Sequence, residues 1–234
     1  MDDFKVDFII PGTQKGGTTS AVVNLNLHPD VHSPLRECHF FNDKFEEGFE
    51  KYKEMLDIPK NFKGIVGEKT PSYCINEIAL KRIKQAFPNI KIIFFIREPV
   101  SRLLSYVNHA FQEKYHVNPL HFIFNKEPNE NESFNRGLYI NQIVQMIDIF
   151  GEDNIKIKIS ERCRKFQFDE YNDIFEFLGV RKLKKSEFSI KNYVHSREYS
   201  ISVSENDRKY LHELYKPHNE KLFKLLGYEI DEWQ

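Results

Sequence analysis

Val6-Asp7-Phe8-Ile9-Ile10, followed directly by Pro11-Gly12-Thr13-Gln14-Lys15-Gly16-Gly17-Thr18-Thr19-Ser20, is the stretch that decides the fold. An apolar strand runs into a glycine-rich loop, and apolar periodicity then predicts a helix over Thr19 to Leu27. Strand, loop and helix in that order form an anion site. Gly12, Gly16 and Gly17 let backbone amides approach a phosphate, Thr18, Thr19 and Ser20 add hydroxyl donors, and the helix start adds a favourable partial charge. Lys15 adds a full one. A glycine-rich turn with a solvated lysine is the plainer reading, and the strand before and helix after weigh against it.

Working outward, strands are predicted at Val6–Ile10, Ile65–Gly67, Ile90–Ile96 and Ile155–Ile159. Helices are predicted at Thr19–Leu27, Ile75–Phe87, Val100–Phe111, Tyr139–Phe150, Phe168–Leu178 and Asp207–Leu226. The alternation predicts an α/β, P-loop-like fold with a central parallel β-sheet flanked by helices. Length alone leads to the expectation of a single domain over residues 1–234. Lys114 to Ser133, with weak periodicity and scattered Pro, Asn and Glu, reads as an insertion loop near a substrate entrance. Leu211, Leu214, Leu222, Leu225 and Leu226 recur at helical spacing and read as packing residues.

Composition narrows the function classes. Lys and Arg number 34 against 35 Asp and Glu, so no basic arm or patch is expected to coat a nucleic acid, and any anion site must be local. The longest apolar run, Ile92 to Ile96, is far short of a bilayer span, so no membrane partner is expected. The first residues lack the pattern of a signal peptide, which leads to the expectation of a cytoplasmic protein. Cys38, Cys74 and Cys163 are widely spaced and read as free thiols. Oligomeric state is left open.

Lysine placement sorts phosphate loops. In GxxxxGK[ST] the lysine stands just before the metal-binding hydroxyl; here Gly12 and Gly17 keep the spacing, but Thr18 occupies the lysine position and Lys15 sits inside the loop. The strand Ile90–Ile96 ends in Arg97-Glu98-Pro99, where an ATPase more often offers an Asp for magnesium. Together these point to anion binding without a metal. In Arg97-Glu98-Pro99-Val100-Ser101-Arg102-Leu103-Leu104-Ser105, an arginine fork and a hydroxyl eight residues on can meet a second phosphate near a helix start.

These two segments resemble the sulfotransferase family that uses 3′-phosphoadenosine 5′-phosphosulfate (PAPS). The likeness extends through His28 to Asp43 (HPDVHSPLRECHFFND), Glu68 to Cys74 (EKTPSYC), Arg136 to Tyr139 (RGLY) and the carboxyl-terminal segment, and it is nearest to the glycan-directed heparan sulfate branch. The resemblance implies that Thr13, Gln14, Lys15, Gly16, Gly17, Thr18, Thr19 and Ser20 hold the 5′-phosphosulfate, and that Arg97 and Ser105 hold the 3′-phosphate. PAPS would be the co-substrate, PAP (3′-phosphoadenosine 5′-phosphate) its product, and no metal is expected.

Sulfuryl transfer to a hydroxyl needs a base for the acceptor proton and cations for the charge on the leaving phosphate. Lys15 suits the leaving group. By resemblance Glu37 is the first choice for the base, Glu68 its rival, with Lys69 beside it favouring an ionised carboxylate, and His39 the third candidate. His39 falls on the same side as Glu37 if the segment is extended. Lys69 and Asn42 are implied as acceptor-binding residues, a carbohydrate hydroxyl being the favoured acceptor. Arg136 or Tyr139 falls near the co-substrate by the same resemblance, and in Lys191 to Ser204 so do Lys191, His195, Ser196 and Arg197. Two other classes stand beside this reading: a nucleotide-binding interaction module without transfer activity, and a P-loop kinase, against which the displaced lysine argues.

Overall fold

β1 (Phe8–Ile10) lies at the centre of a five-stranded sheet whose other members are β2 (Val31–His32), β3 (Ile65–Lys69), β4 (Lys91–Ile96) and β5 (Ile155–Ile159). The order is β2-β3-β1-β4-β5 and every pairing is parallel. The structure, a computed structural model, describes residues 4–112, 132–189 and 203–233. They fall into two compact units, one within residues 1–96 and 145–194 and the other within residues 97–144 and 195–234.

The whole sheet belongs to the first unit. β1 and β4 are buried on both faces, as the unbroken apolar runs FII and IIFFI require. Phe8, Ile10, Ile93 and Phe95 point to one face and pack with Ala21, Val22 and Leu25 of α1 (Thr18–Leu25) and with Tyr171, Ile174 and Phe175 of the helix Gln167–Phe177. Ile9 points the other way beside its register partner Glu68, on the face that carries an aromatic cluster. There Phe40 stacks on Tyr52 at 4.5 Å between ring centroids, with Phe41, Phe49 and Phe87 around them.

Several elements among the described residues had no counterpart in the sequence reading, the helix Ser160–Lys165 among them. β2 is two residues long. α2 (Phe49–Leu56) carries one apolar turn among charges, and Phe40–Lys44 forms a π-helical turn. α3 (Glu77–Ala86) starts where Asn76 accepts the Ala79 amide at 2.9 Å, two residues later than the periodicity suggested.

In the second unit, α4 (Pro99–Gln112) and the helix Glu205–Leu226 supply most of a separate apolar cluster, with Tyr215 stacked on Phe134 at 4.3 Å. Gly137 of the RGLY segment lets the Tyr215 ring approach, because a Cβ there would lie 2.8 Å from it. The long helix runs through Pro217 and ends at Gly227, whose φ of 77° is the left-handed stop that glycine favours. Leu211 and Leu222 are buried as expected, whereas Leu225 is 43% exposed. No helix among the described residues is long and apolar enough to cross a membrane. Residues 114–131 of the expected insertion loop lie outside the described residues; its last two, Glu132 and Ser133, begin a short helix, Glu132–Asn135.

The tightest steric constraint in the sheet is at Gly67, where a Cβ would sit 2.4 Å from the fully buried Phe8 ring. Gly67→Ala is expected to lower unfolding stability by about 1–3 kcal/mol through overpacking. Urea denaturation reads this as a lower midpoint, and adding Phe8→Leu should recover part of it.

Candidate functional site

The loop after β1 is held by the strands beside it. Thr13 donates its amide to the Phe95 carbonyl at 2.9 Å, and Phe95 donates to the Gly12 carbonyl at 3.1 Å, so the loop's first half continues the sheet. Thr13 is fully buried, with its methyl under Gly16, and serves the loop's own packing. The Ser160 hydroxyl donates to the Gly16 carbonyl from the end of β5, a contact that nothing in the sequence singled out. Gly17, at φ 86°, is the residue before α1, so the first turn has no side-chain cap and no acidic residue. Thr18, Thr19 and Ser20 form that turn, and Lys15 stands ahead of it with φ 66°. The Gln14 Oε1 atom is buried with no partner among the described residues. Uncapped amides, three hydroxyls and a lysine are the donor set of an anion site, and they fit the phosphosulfate end of a nucleotide.

Beside the loop, the ladder between β1 and β3 continues past both strands. Thr70 donates its amide to Ile10 at 3.1 Å and Cys74 to Pro11 at 2.9 Å, which brings the EKTPSYC turn against the loop's entry. The segment Arg36–Phe41 is tied down on both sides of Glu37. Arg36 donates to the Met55 and Glu54 carbonyls at 2.9 and 2.8 Å, Cys38 and His39 donate their amides to Thr70 Oγ1 at 3.2 and 3.3 Å, and Phe41 donates to the Tyr73 hydroxyl at 3.2 Å. Glu37 itself keeps a side chain that is 39% exposed.

Its two oxygens meet different side chains. Lys69 Nζ, on a side chain only 4% exposed, is 3.3 Å from Oε1, and His39 Nε2 is 3.1 Å from Oε2. His39 takes a left-handed conformation, φ 52°, at the start of the π turn, so it meets Glu37 by a turn and not by the extended segment expected. Its Nδ1 faces Asp43 at 3.4 Å, with Ser72 and Asn42 each at 3.5 Å. Asn42 donates to Ser72 at 3.2 Å, and its Oδ1 is buried without a partner among the described residues. Asp43, Ser72 and Thr70 were missed; all three lie inside quoted motifs, but nothing in their spacing separates them from their neighbours.

Glu68 lies elsewhere. It points to the Ile9 face, is fully buried, and accepts from Thr70 at 2.7 Å, from Tyr52 at 3.2 Å and from Tyr73. Burial raises its pKa, and the three hydroxyl donors offset only part of that shift. Lys69 does not favour its ionised form as adjacency suggested: one residue further along β3 it points away and spends its charge on Glu37. Burial likewise pushes the Cys38 and Cys163 thiols up, so neither is a nucleophile, and both are free as expected.

In the second unit, Arg97 and Ser105 are half-buried. The start of α4 is occupied by Glu98, whose carboxylate accepts the Val100 and Ser101 amides at 2.8 and 2.6 Å, with Pro99 in the first helical position as expected. Two of the amides at this helix start are therefore taken by its own cap. Tyr139 donates to the Arg97 carbonyl at 2.8 Å and so fixes that backbone, while Arg136 is paired with Glu132. Lys191, His195, Ser196 and Arg197 lie outside the described residues.

Comparison with known proteins decides the class of this site, because the family model of the sulfotransferase domain matches residues 5–221. The chain belongs to the sulfotransferase family. Human heparan sulfate glucosamine 3-O-sulfotransferase 3B1 is 25% identical over 249 residues, 95% of this chain and 63% of that protein. Human heparan sulfate glucosamine 3-O-sulfotransferase 5 is 34% identical over 185 residues, 74% of this chain and 53% of that one. The sulfotransferase chain thus spans less than two thirds of the length of these curated relatives. The fold is shared with a solved sulfotransferase from Alicyclobacillus acidocaldarius, at TM-score 0.75 and 22% identity over 98% of this chain and 99% of that one. It is shared also with mouse sulfotransferase SULT7A1 complexed with PAP, at TM-score 0.62 and 15% identity over 97% and 91%.

The raised pKa of Glu68 makes stability depend on pH in a definite direction. The native state holds this proton where the unfolded chain has lost it, so native stability falls as pH rises from the ordinary carboxylate range, about 4.3, up through the raised native value. Urea midpoints measured across that range should decline in the wild type, and Glu68→Gln should flatten the decline. An unchanged slope in the variant would assign it to another group.

Proposed function

We propose that this sulfotransferase moves the sulfuryl group of PAPS to a hydroxyl of a carbohydrate, with Glu37 as general base. The observation that carries the reading is a solvent-accessible carboxylate, held between Lys69 and His39, at the same carboxyl edge of the sheet as an uncapped, lysine-bearing anion loop. Glu37 takes the acceptor proton as the acceptor oxygen bonds to sulfur. The bond from sulfur to the phosphate oxygen breaks, and its electron pair leaves with PAP. Lys15 and the first turn of α1 stabilise the charge that grows on that phosphate. Glu68 is passed over because it is fully buried and both its oxygens are engaged by hydroxyls. Asn42, with a buried unpartnered acceptor, and Lys69 are the acceptor-binding residues of this proposal.

Arg97 and Ser105 are proposed as the 3′-phosphate ligands. With α4 capped by Glu98, that phosphate depends on side chains and not on helix amides. The carbohydrate class rests on the names of the 3-O-sulfotransferase relatives. The kinase reading is disfavoured by Lys15, which precedes the loop's last two glycines and leaves Thr18 in the usual lysine position.

Calorimetric titration tests the nucleotide. PAP should bind tightly, adenosine 5′-monophosphate and ATP with magnesium weakly, and Arg97→Ala should weaken PAP by about 10–100-fold, the value of a charge-assisted hydrogen bond pair. Preference for ATP with magnesium would overturn the proposal. Turnover is read as PAP release from PAPS with heparan sulfate as acceptor. Glu37→Gln should lower kcat by about a hundredfold or more while PAP affinity stays within about twofold.

A further inference from the structure

Thr70 Oγ1 stands at a crossing of hydrogen bonds. Its own proton goes to Glu68 Oε2 at 2.7 Å, and its lone pairs accept the amides of Cys38 at 3.2 Å and His39 at 3.3 Å. A hydroxyl has one proton to give. With a carboxylate fixed behind it, Thr70 cannot turn that proton toward the Arg36–Phe41 segment, so the two amides that follow Glu37 meet an acceptor in one orientation.

Glu68 is a costly way to arrange this, since a carboxylate in the sheet interior loses its hydration. The hydroxyls of Thr70, Tyr52 and Tyr73 and the Cys38 thiol donate to it. Tyr52 ties it to the aromatic cluster through the stacked Phe40 ring, and Tyr73 also receives the Phe41 amide. The backbone of residues 38, 39 and 41 is therefore bonded to hydroxyls that all converge on one carboxylate. A packing role alone would be met as well by an apolar side chain. What the carboxylate adds is a fixed direction for those hydroxyls.

Resting on the reading of Glu37 as the base, we infer that Glu68 and Thr70 are positioning residues for Glu37, the buried carboxylate orienting the Thr70 hydroxyl so that it fixes the backbone on which Glu37 is carried. The side-chain partners of Glu37 then find it in one place: Lys69 comes from the residue between the two positioning residues, and His39 from the second of the two fixed amides. Displacing a catalytic group by about 1 Å can cost on the order of a hundredfold in rate.

The test uses the full chain, with PAP release from PAPS and heparan sulfate as above, and compares Thr70→Val, Thr70→Ser, Glu68→Gln and Glu68→Met with Glu37→Gln. Thr70→Val keeps the shape, removes the hydroxyl and should lower kcat by about tenfold or more, with PAP affinity and the KM for PAPS within about twofold. Thr70→Ser, which restores the hydroxyl, should recover most of the loss; a merely structural role would appear as reduced stability without this split between kcat and KM. Glu68→Gln keeps one acceptor oxygen for Thr70 and should cost about threefold, whereas Glu68→Met keeps none and should match Thr70→Val.

The double variant Glu68→Met with Thr70→Val should lose no more than either alone, because the two act as one device. A Thr70→Val enzyme with wild-type kcat overturns the inference. So does a Glu68→Gln enzyme as inactive as Glu37→Gln, which would make Glu68 the proton acceptor. If Thr70→Val does not fold, the contrast between Glu68→Gln and Glu68→Met decides alone. Turnover by Glu37→Gln overturns the base assignment and this inference with it; an inactive Glu37→Gln beside an unimpaired Thr70→Val overturns the inference only.

Discussion

Ile9 faces Glu68 and Ile10 faces Lys69 in the parallel ladder between β1 and β3, and the ladder does not stop where the strands end. Thr70 bonds to Ile10 and Cys74 to Pro11, so two turns of opposite chemistry leave the sheet side by side. One is a glycine-rich loop with a lysine and an uncapped helix start. The other carries Lys69, Thr70 and Ser72, which receive the Glu37–Asn42 segment. A slip of one residue in this register would exchange the faces of Glu68 and Lys69, burying an amine among tyrosines and turning a carboxylate toward Glu37. The arrangement of the candidate site in the first unit follows from that single register.

Charge placement obeys the same constraint. Lys69 and Glu68 are neighbours in sequence, yet strand alternation sends them to opposite faces, and they do not neutralise each other. Lys69 is free to pair with Glu37 from a nearly buried position, while Glu68 is satisfied by hydroxyls. The difference matters for chemistry. In the proposed reaction the base must reach the acceptor, and Glu37 combines exposure with the Lys69 ammonium and the His39 ring at its two oxygens.

Long-period patterns made most of the first unit legible. The strand Ile155–Ile159 and the helix Tyr139–Phe150 have the bounds that periodicity predicts, and β4 differs by one residue, because their apolar positions repeat without interruption. β2 was invisible because two residues carry no period. α2 was hidden because its apolar side chains come from one turn among glutamates and lysines, and the π turn because its residues pack by tertiary aromatic contacts and not by spacing. Within the candidate site, the structure brings together Glu37, His39 and Lys69, which motif resemblance had grouped, while the burial of Glu68 was not legible, since burial belongs to the fold and not to the residue. Thr70 and Ser160 act through single hydroxyls and leave no trace in composition or pattern.

The two helix starts differ in what their own side chains do. Both follow a strand, one through Gly-Gly-Thr-Thr and the other through Arg-Glu-Pro. Gly17 has no side chain with which to cap α1, so that helix keeps its first-turn amides and its partial charge available. Glu98 folds back onto α4 and takes two of the amides that a phosphate would need. The consequence for the proposed phosphate contacts is an asymmetry in what mutation can reach. Amides at α1 survive any side-chain change short of proline, so Lys15 and the hydroxyls are what can be removed there, whereas the 3′-phosphate contacts proposed for the second unit are the side chains of Arg97 and Ser105 and would go when those are replaced.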